Sequence, residues 1–459
     1  MTNSSDNSHF SSINDDNSPA TGKRERWNSY PGFIFASIGA AVGIGNIWRF
    51  PYIVGENGGG AFFLTYIIVL FTFGVSFMML EFVVGRYYKT SVVESMKKIH
   101  KRFRYAGIII VGITFSILSY YLVILGWVLS FFFLMIFGIN LSFNDYTNSL
   151  FPILSFLGIS IINFIIIKAD IRKGLERISK IAVLFLIGII IPLTLLGMSM
   201  PGAEKGIKFF LTPDFAKSVT PEVWSVAFGQ AFFSLSIGMG VLLTYGSYLQ
   251  DIKKPLLKSS IIIILADLSI AIISGLMIFS WVFSHNLDPA QGITLIFQVM
   301  PSIFFELEFL GTVVGSLFFF LLFLAGITSS LSMFQVPISA IQDTFNYSKK
   351  KASYLILVLV LITGLPSALS YSQVKLSLNN IPILDIVEPV FGTYGIAISA
   401  AIFSIIVTWF IDKKKLIEQA NLYLSRNSII KIPGNIVYVI KFGLPILIML
   451  TIIVGLVTK

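Results

Sequence analysis

Long uninterrupted apolar stretches dominate the pattern of residues along the chain. They lie at roughly 31–52, 59–85, 105–138, 152–167, 181–200, 222–248, 259–284, 307–340, 352–370, 383–411 and 433–457. A bilayer core about 30 Å thick is crossed by ~20 apolar residues as a helix, because every backbone polar group must be satisfied within the segment. The pattern therefore predicts an all-α membrane protein with eleven transmembrane helices.

Composition supports this prediction and narrows the chemistry. Of the 459 residues, 55% are hydrophobic and 12% are charged, whereas a soluble domain carries about 25% charged residues. The chain contains no cysteine, which excludes disulfides, thiol catalysis and zinc–sulfur sites. His9, His100 and His285 lie far apart in the sequence, which argues against a histidine metal centre.

The net charge of +10 is unevenly distributed between alternate loops. If the N-terminus is cytoplasmic, the inside loops hold the basic clusters at 86–104, 168–180, 253–258, 349–351 and 413–415. This asymmetry is the positive-inside pattern of cell-membrane proteins. We therefore interpret the basic charge as a topology signal and expect no nucleic acid partner. Residues 1–26 are polar and predict a disordered cytoplasmic tail.

Two of the spans carry a Gly-x-Gly in their middle, at 39–46 (GAAVGIGN) and at 234–241 (SLSIGMGV). One such segment alone is more often a close contact between helices. The two segments, however, occupy matching positions of a five-plus-five arrangement, which is the best sequence pointer to a transporter binding site. A nucleotide-phosphate loop is excluded, because neither segment follows a strand.

A helix broken at mid-membrane exposes backbone groups that can bind ions. The N-terminus of one half presents free N–H groups to a carboxylate, and the carbonyls of the other half suit Na⁺ or an ammonium group. Together these groups match a zwitterion and Na⁺, so the sequence predicts an amino acid bound with sodium.

Three polar features lie close to the predicted breaks. The hydroxyls of 328–330 can bond to their own helix, and Tyr121 can belong to an interfacial belt. Tyr121 nevertheless falls near mid-span, where its hydroxyl needs a buried partner. Asp267 is an intramembrane carboxylate, which is by default a functional-site hypothesis.

These segments resemble the neurotransmitter:sodium symporter family from about residue 24 to residue 441. The most specific matches are 43–52 (GIGNIWRFPY), 56–62 (ENGGGAF), 173–177 (KGLER), 229–236 (GQAFFSLS) and 325–330 (AGITSS). The chain is similar to the short eleven-helix prokaryotic members, and it resembles the bacterial leucine, tyrosine and hydrophobic amino acid transporters. The twelfth helix of the bacterial leucine transporter is not among its predicted spans. The resemblance implies an inverted repeat, with helices 1–5 in 27–200, helices 6–10 in 201–415, and a loop and helix 11 in 416–459.

The resemblance also implies a central site for one amino acid. Its carboxylate would meet the backbone at Ala41 and Gly45 and the hydroxyl of Tyr121, and its ammonium would meet the 233–236 segment. The implied substrate-binding residues are Ala40, Ala41, Gly45, Ile117, Tyr121, Phe233, Ser234, Ser236, Met239, Ser329 and Met333. The apolar pocket wall favours a neutral, hydrophobic or aromatic amino acid.

Two Na⁺ sites are implied as well, both formed by oxygen ligands as a hard cation requires. The first would use Ala41, Asn46, Ser234 and Asp267, and the second Gly39, Val42, Ala325, Thr328 and Ser329. Asp267 stands where many members have asparagine, and Ala271 stands where chloride-dependent members have serine. We therefore expect that chloride is not required.

Gates are implied on both sides of this site. On the outside, Arg49 would face Glu388, with Asp385 nearby. On the inside, Arg24 would pair with Asp343, and Trp27 would pack against Tyr248.

The leading interpretation is Na⁺-coupled amino-acid uptake by alternating access. An ion channel or a substrate-gated receptor on the same fold is the alternative, although a channel needs a continuous polar pore. A membrane enzyme would need a catalytic base or metal cluster, which Asp267 alone does not provide.

Overall fold

The computed structural model describes residues 25–249, 252–289, 295–423, 439–443, 445–446 and 449. Residues 1–24 of the predicted tail, including Arg24, and most of the predicted eleventh helix lie outside these residues. The helices are α1 Tyr30–Ala41, α2 Phe50–Glu56, α3 Gly60–Val69, α4 Val75–Tyr88, α5 Val92–Ile99, α6 Arg104–Ile136, α7 Phe143–Thr147, α8 Phe151–Ile167, α9 Arg177–Met198, α10 Ala203–Leu211, α11 Phe215–Ser218, α12 Pro221–Ser234, α13 Val241–Ser247, α14 Leu256–Ser284, α15 Met300–Glu306, α16 Glu308–Phe345, α17 Lys349–Ser370, α18 Ile383–Val387, α19 Ile396–Phe410 and α20 Lys413–Asn421.

Helical turns of other pitch join several of these helices. They are 3₁₀ at Lys101–Phe103 and π-helical at Gly45–Arg49, Leu70–Gly74, Arg172–Glu176, Leu295–Val299, Glu388–Gly395 and Val439–Gly443. Two short strands, β1 Ser377–Leu378 and β2 Ile381–Pro382, form an antiparallel hairpin. Apart from this hairpin, the described chain is built from helices and the loops between them.

The described helices fall where the first ten apolar spans were predicted. Seven are long and apolar enough to cross a membrane without a sharp bend: Gly60–Tyr88, Lys101–Ile136, Arg172–Met198, Leu256–Ser284, Glu308–Phe345, Lys349–Ser370 and Ile383–Phe410. The first span consists of Tyr30–Ala41 and Gly45–Glu56, bent by 46° at the break between them. The fourth corresponds to the shorter α8, and the sixth to α12 and α13.

Both predicted helix breaks are present at the centre of the molecule. Residues 42–44 interrupt the first broken helix, and residues 235–240 separate α12 from α13. The aromatic core packs close to the first break, where Phe50 has no exposed surface and packs against both Phe62 and Tyr66. Large apolar side chains are also exposed on the outer surface, as at Ile165 and Leu195, which is typical of helices that face lipid.

Six short helices of the described chain lie outside the predicted spans, namely α5, α7, α10, α11, α15 and α20. The helix α5 follows the basic loop after α4, and α10 and α15 belong to the loops that precede α12 and α16. The helix α10 packs on α14 with Phe210 fully buried against Phe279. These helices are too short or too polar to be detected as spans, so the sequence pattern placed them in loops.

Candidate functional site

Side chains replace the helical hydrogen-bond pattern at the first break. The N–H of Gly43 donates to Oδ1 of Asn46 (3.2 Å), and the N–H of Ile44 donates to the hydroxyl of Tyr121 (3.4 Å). In an uninterrupted helix these N–H groups would bond to the carbonyls four residues earlier. The carbonyls of Gly39 and Ala40 are therefore released from the helix and become available to other partners.

The second break is formed by residues in the left-handed backbone region. Ser236, Gly238 and Gly240 have φ values of 53°, 79° and 70°. Glycine adopts this region without steric cost, which explains the Gly-x-Gly at this point. Ser236 is the exception, and its hydroxyl donates to the released carbonyl of Ala40 (2.9 Å). This hydrogen bond ties the two breaks directly to each other.

Three buried side chains that sequence analysis did not select satisfy the backbone of the second break. Oε1 of Glu81 accepts a hydrogen bond from the N–H of Gly238 (3.0 Å), and the Gly238 carbonyl accepts one from the Ser399 hydroxyl. The hydroxyl of Thr114 donates to the carbonyl of Met239 (2.6 Å). Glu81 and Thr114 have no exposed surface. These contacts hold an otherwise irregular segment in one conformation.

We predict that Glu81→Ala lowers the thermal unfolding temperature of the protein in detergent far more than Glu81→Gln. The glutamine retains an oxygen that can accept from Gly238, whereas alanine leaves a buried N–H unsatisfied at a cost of about 1–3 kcal/mol. Replacing the exposed Glu306 with alanine is the control. Equal losses for the two Glu81 variants would contradict the assigned role.

A small cavity lies where the two breaks meet. Its volume is about 20 Å³, which is room for about one water molecule. All eleven residues predicted to bind substrate line this cavity, together with Gly43: Ala40, Ala41, Gly45, Ile117, Tyr121, Phe233, Ser234, Ser236, Met239, Ser329 and Met333. The fold therefore brings both helix breaks, α6 and α16 around one central point.

Asp267 is the centre of a buried polar cluster beside this cavity. Its Oδ1 accepts hydrogen bonds from Nδ2 of Asn46 (2.7 Å) and the hydroxyl of Ser234 (2.8 Å). Its Oδ2 accepts a hydrogen bond from the hydroxyl of Tyr66 (3.3 Å). The structure thus groups three of the four residues predicted for the first Na⁺ site. The fourth, Ala41, lines the adjoining cavity. The sequence did not indicate Tyr66.

The residues predicted for the second Na⁺ site lie where α16 packs against α1. The hydroxyl of Ser329 donates to the carbonyl of Gly39 (3.3 Å), and the hydroxyl of Thr328 donates to the carbonyl of Ala325 (3.0 Å). A Cβ at Gly39 would lie 3.1 Å from Cβ of Thr328. Val42, one turn beyond Gly39, ends α1. Uncharged oxygens of this kind suit a hard monovalent cation.

A second cavity, which we call the vestibule, adjoins the central cavity. It measures about 190 Å³, shares Gly45, Tyr121 and Phe233 with the central cavity, and is also lined by Arg49, Asp385 and Glu388. The guanidinium of Arg49 stacks 4.9 Å from the Phe233 ring centre. Phe233 therefore separates the two spaces, and the predicted outer-gate residues all lie in the vestibule.

Arg49 has a different hydrogen-bond partner from the one predicted. Its Nη1 donates to Oε1 of Gln230 (2.8 Å), whose Nε2 donates to the carbonyl of Gly45 (3.2 Å). Asp385 accepts from the hydroxyl of Tyr371 at 3.0 Å. Among the described residues, neither Asp385 nor Glu388 forms an ion pair with Arg49. The vestibule is consequently not closed by such a pair.

The opposite side of the molecule is closed by Trp27. Its indole N–H donates to the carbonyl of Tyr245 (3.0 Å), and its ring lies 6.2 Å from the ring of Tyr248. The hydroxyl of Tyr248 accepts a hydrogen bond from Nε2 of Gln335 (2.7 Å). Asp343 accepts a hydrogen bond from the N–H of Ser91 (2.6 Å). The predicted partner of Asp343, Arg24, lies outside the described residues.

An ion pair missed by sequence analysis reinforces this side. Nζ of Lys349 lies 2.8 Å from Oε1 of Glu25, and that oxygen also accepts a hydrogen bond from the N–H of Ile171 (3.0 Å). Oε2 of Glu25 accepts one from Gln335 (3.4 Å). Glu25 thus links the segment before α1 to the segment before α9 and to α16 and α17.

Comparison with known proteins agrees with this architecture. The profile of the Sodium:neurotransmitter symporter family matches residues 24–152 and 151–459. An uncharacterized sodium-dependent transporter of Methanocaldococcus jannaschii is 36% identical, with 87% of this chain and 84% of that protein covered. A sodium-dependent transporter of Bacillus subtilis named YhdH, also uncharacterized, is 31% identical, with coverages of 86% and 90%.

The fold is also similar to a solved structure. The crystal structure of MhsT in complex with L-phenylalanine superposes with a TM-score of 0.84 at 32% identity, covering 94% of this chain and 99% of that chain. These matches confirm the resemblance and the helical membrane fold predicted from the sequence. The chain therefore belongs to the sodium:neurotransmitter symporter family, and it is a multi-pass, sodium-dependent symporter rather than an enzyme.

Proposed function

We propose that this symporter takes up a neutral amino acid with a hydrophobic or aromatic side chain. The observation that carries this proposal is the lining of the central cavity. Ala40, Ile117, Met239 and Met333 form an apolar wall, and the cavity has no charged lining residue among those described. A charged substrate side chain would lose its hydration there without gaining a partner. The phenylalanine bound to the similar transporter MhsT is consistent with such a substrate.

The amino and carboxylate groups of the substrate would bind the two breaks. The carboxylate would accept hydrogen bonds from the Tyr121 hydroxyl and from the backbone near Ala41 and Gly45. The ammonium would donate to carbonyls of Ala41 and the 233–234 segment and to the hydroxyl of Ser236. Since the cavity holds about 20 Å³, binding requires its walls to move apart. Methionine side chains adapt easily to such changes because they are flexible.

Two Na⁺ ions would bind beside the substrate. The Asp267 cluster with Ala41 would form the first site, and Gly39, Val42, Ala325, Thr328 and Ser329 the second. Moving one charge through 100 mV is worth ~2.3 kcal/mol. Two Na⁺ ions with a zwitterion would therefore gain ~4.6 kcal/mol per 100 mV, which supports an accumulation of roughly a thousandfold.

Transport would proceed by alternating opening of two gates in the cell membrane. On the vestibule side, Arg49 would exchange its bond to Gln230 for Glu388 or Asp385 when the gate closes. On the other side, Trp27 and Tyr248 would separate to release substrate. The basic loops support an orientation with this second gate and the N-terminus in the cytoplasm.

The substrate proposal predicts the result of a scan of the twenty amino acids by thermal stabilisation. We expect hydrophobic or aromatic amino acids to raise the unfolding temperature of the purified protein in a buffer that contains Na⁺. They should not raise it when a large organic cation replaces Na⁺. A ligand present at a hundred times its Kd stabilises the folded protein by about 2.7 kcal/mol. The resulting rise in unfolding temperature is readily measured. If glutamate, lysine or glycine stabilised the protein most, the assignment of the pocket would be wrong.

A further inference from the structure

A groove on the membrane-facing side of the protein is separate from the transport site. It has a volume of about 330 Å³ and lies between α5, α6, α16 and α17. Its lining is apolar except for Arg104 and Thr344, and it includes Ile108, Gly112, Phe115, Pro337 and Phe345. Ile108 and Phe345 are 48% and 61% exposed, so the groove opens towards the hydrocarbon of the bilayer rather than into the core.

Arg104 places an uncompensated positive charge in this apolar groove. Its Nε is buried, and within the described residues it has no hydrogen-bond partner. The acidic residues on neighbouring segments are engaged elsewhere: Glu94 pairs with Lys97 at 2.9 Å, and Asp343 accepts from Ser91. Arg104 as a whole is half-buried, but the buried N–H at its Nε requires a partner, and the described side chains of this region do not supply one.

The charge of the surrounding surface indicates the sign of the missing partner. Lys101, Arg102 and Lys351 belong to the same end of the helix bundle as Arg104 and are exposed. Clusters of basic residues next to transmembrane helices attract anionic lipid headgroups. An apolar groove with an arginine at its basic end therefore matches an anionic phospholipid, whose acyl chain and phosphate require these two environments.

We propose that the groove binds an anionic glycerophospholipid from the bilayer. One acyl chain lies along Ile108, Gly112, Phe115 and Pro337, and the phosphate accepts hydrogen bonds from the guanidinium of Arg104. Arginine suits this role because its planar fork binds phosphate with two parallel hydrogen bonds. Zwitterionic lipids with the same chains bind less well, because their headgroups carry no net charge.

The groove is separated from the second helix break by a thin wall. A Cβ at Gly240 would lie 2.5 Å from Cγ2 of Val92 and 3.7 Å from Cγ1 of Val336. The residues that follow these two, Val93 and Pro337, line the groove. An acyl chain in the groove therefore packs against the segments that support the break, and it should raise the unfolding temperature of the whole protein.

Two substitutions test the two halves of the groove. Arg104→Gln removes the charge, and Arg102→Gln is its control, since Arg102 is exposed and lies outside the groove. Gly112→Leu fills the apolar part, because a Cβ at Gly112 would meet no atom within 4 Å. Gly158→Leu is the matched control, since a Cβ there also meets no atom within 4 Å and Gly158 belongs to α8.

Full-length wild type and the four variants are purified, given phosphatidylglycerol or phosphatidylcholine with identical chains, and measured by native mass spectrometry and thermal unfolding. We expect wild type and both controls to retain phosphatidylglycerol in preference to phosphatidylcholine. They should also unfold at a higher temperature with phosphatidylglycerol than with phosphatidylcholine. Arg104→Gln and Gly112→Leu should each reduce this retention about tenfold or more and abolish the thermal shift.

Three results would overturn the proposal. Equal retention of both lipids by wild type would remove the charge requirement. Equal losses in Arg104→Gln and Arg102→Gln would indicate a diffuse basic surface instead of a site. Full retention by Gly112→Leu would show that the acyl chain does not occupy the groove. As a further control, glycerol 3-phosphate, which has no acyl chains, is expected to leave the unfolding temperature unchanged. A rise equal to that produced by the lipid would also overturn the proposal, because it would indicate an anion site alone.

Discussion

Replacing Tyr121 with phenylalanine is expected to weaken Na⁺-dependent amino-acid binding by roughly ten- to a hundredfold. A hydrogen bond to a charged group contributes ~1.5–3 kcal/mol, and each 1.4 kcal/mol changes a Kd tenfold. The hydroxyl of Tyr121 lines the central cavity and accepts a hydrogen bond from the N–H of Ile44. It can therefore orient its own proton towards a substrate carboxylate. Equilibrium binding of a radiolabelled amino acid at saturating Na⁺ measures the loss.

The neighbouring tyrosine provides a matched control for this substitution. The hydroxyl of Tyr120 is buried, has no hydrogen-bond partner among the described residues, and belongs to the vestibule lining rather than to that of the central cavity. Tyr120→Phe removes the same atom one residue away, so we expect affinity within about twofold of wild type. Unchanged affinity in Tyr121→Phe, or equal losses in both variants, would leave Tyr121 with a packing role only.

The positions of the two breaks could be predicted because local composition determines them. Small residues repeated at mid-span, where Leu and Ile are otherwise usual, indicated interruptions at 39–46 and 234–241, and the structure has them at 42–44 and 235–240. The left-handed φ values of Gly238 and Gly240 are the physical reason that glycine occurs there. Uninterrupted apolar stretches likewise predicted the long helices, since membrane helices satisfy their backbone within one segment.

The partners that stabilise these breaks could not be predicted in the same way. Glu81 is an intramembrane carboxylate and could have been selected by the rule that selected Asp267. It lies inside the predicted span 59–85, four residues before its end at the basic loop, and the helix continues to Tyr88. The bond between Arg49 and Gln230 depends on how the first broken helix packs against α12, which is a tertiary property. The sequence predicted opposite charges at this gate, whereas the hydrogen-bond partner of Arg49 is uncharged.

Uptake by the wild-type protein is expected to proceed at an unchanged rate when gluconate replaces chloride. Two Na⁺ and a substrate ammonium would place three positive charges in a buried site, and the substrate carboxylate would offset one of them. Uncompensated charge in a low-dielectric interior is costly. Asp267 is fully buried and already bonded to Asn46 and Ser234 of the proposed first Na⁺ site. Its fixed carboxylate can supply the negative charge that a bound anion would otherwise provide.

Neutralising this carboxylate should therefore create a requirement for an external anion. Asp267→Asn keeps the size of the side chain but leaves one acceptor oxygen where the carboxylate has two. In the wild type the hydroxyls of Tyr66 and Ser234 donate to different oxygens of that carboxylate, so one of them loses its acceptor in the variant. Ala271→Ser adds a third hydroxyl one helical turn further along α14. We expect the double variant to take up substrate several times faster in chloride than in gluconate.

A second buried carboxylate distinguishes a local charge effect from a general one. Glu81→Gln also neutralises a fully buried acid, but Glu81 bonds to Gly238 at the second break and not to the residues that surround Asp267. This variant should remain indifferent to chloride, because the charge that balances the Na⁺ sites is still present. The measurement is initial-rate uptake into proteoliposomes with an imposed Na⁺ gradient. Wild-type uptake that collapses in gluconate, or a fully active double variant indifferent to chloride, would refute the role assigned to Asp267.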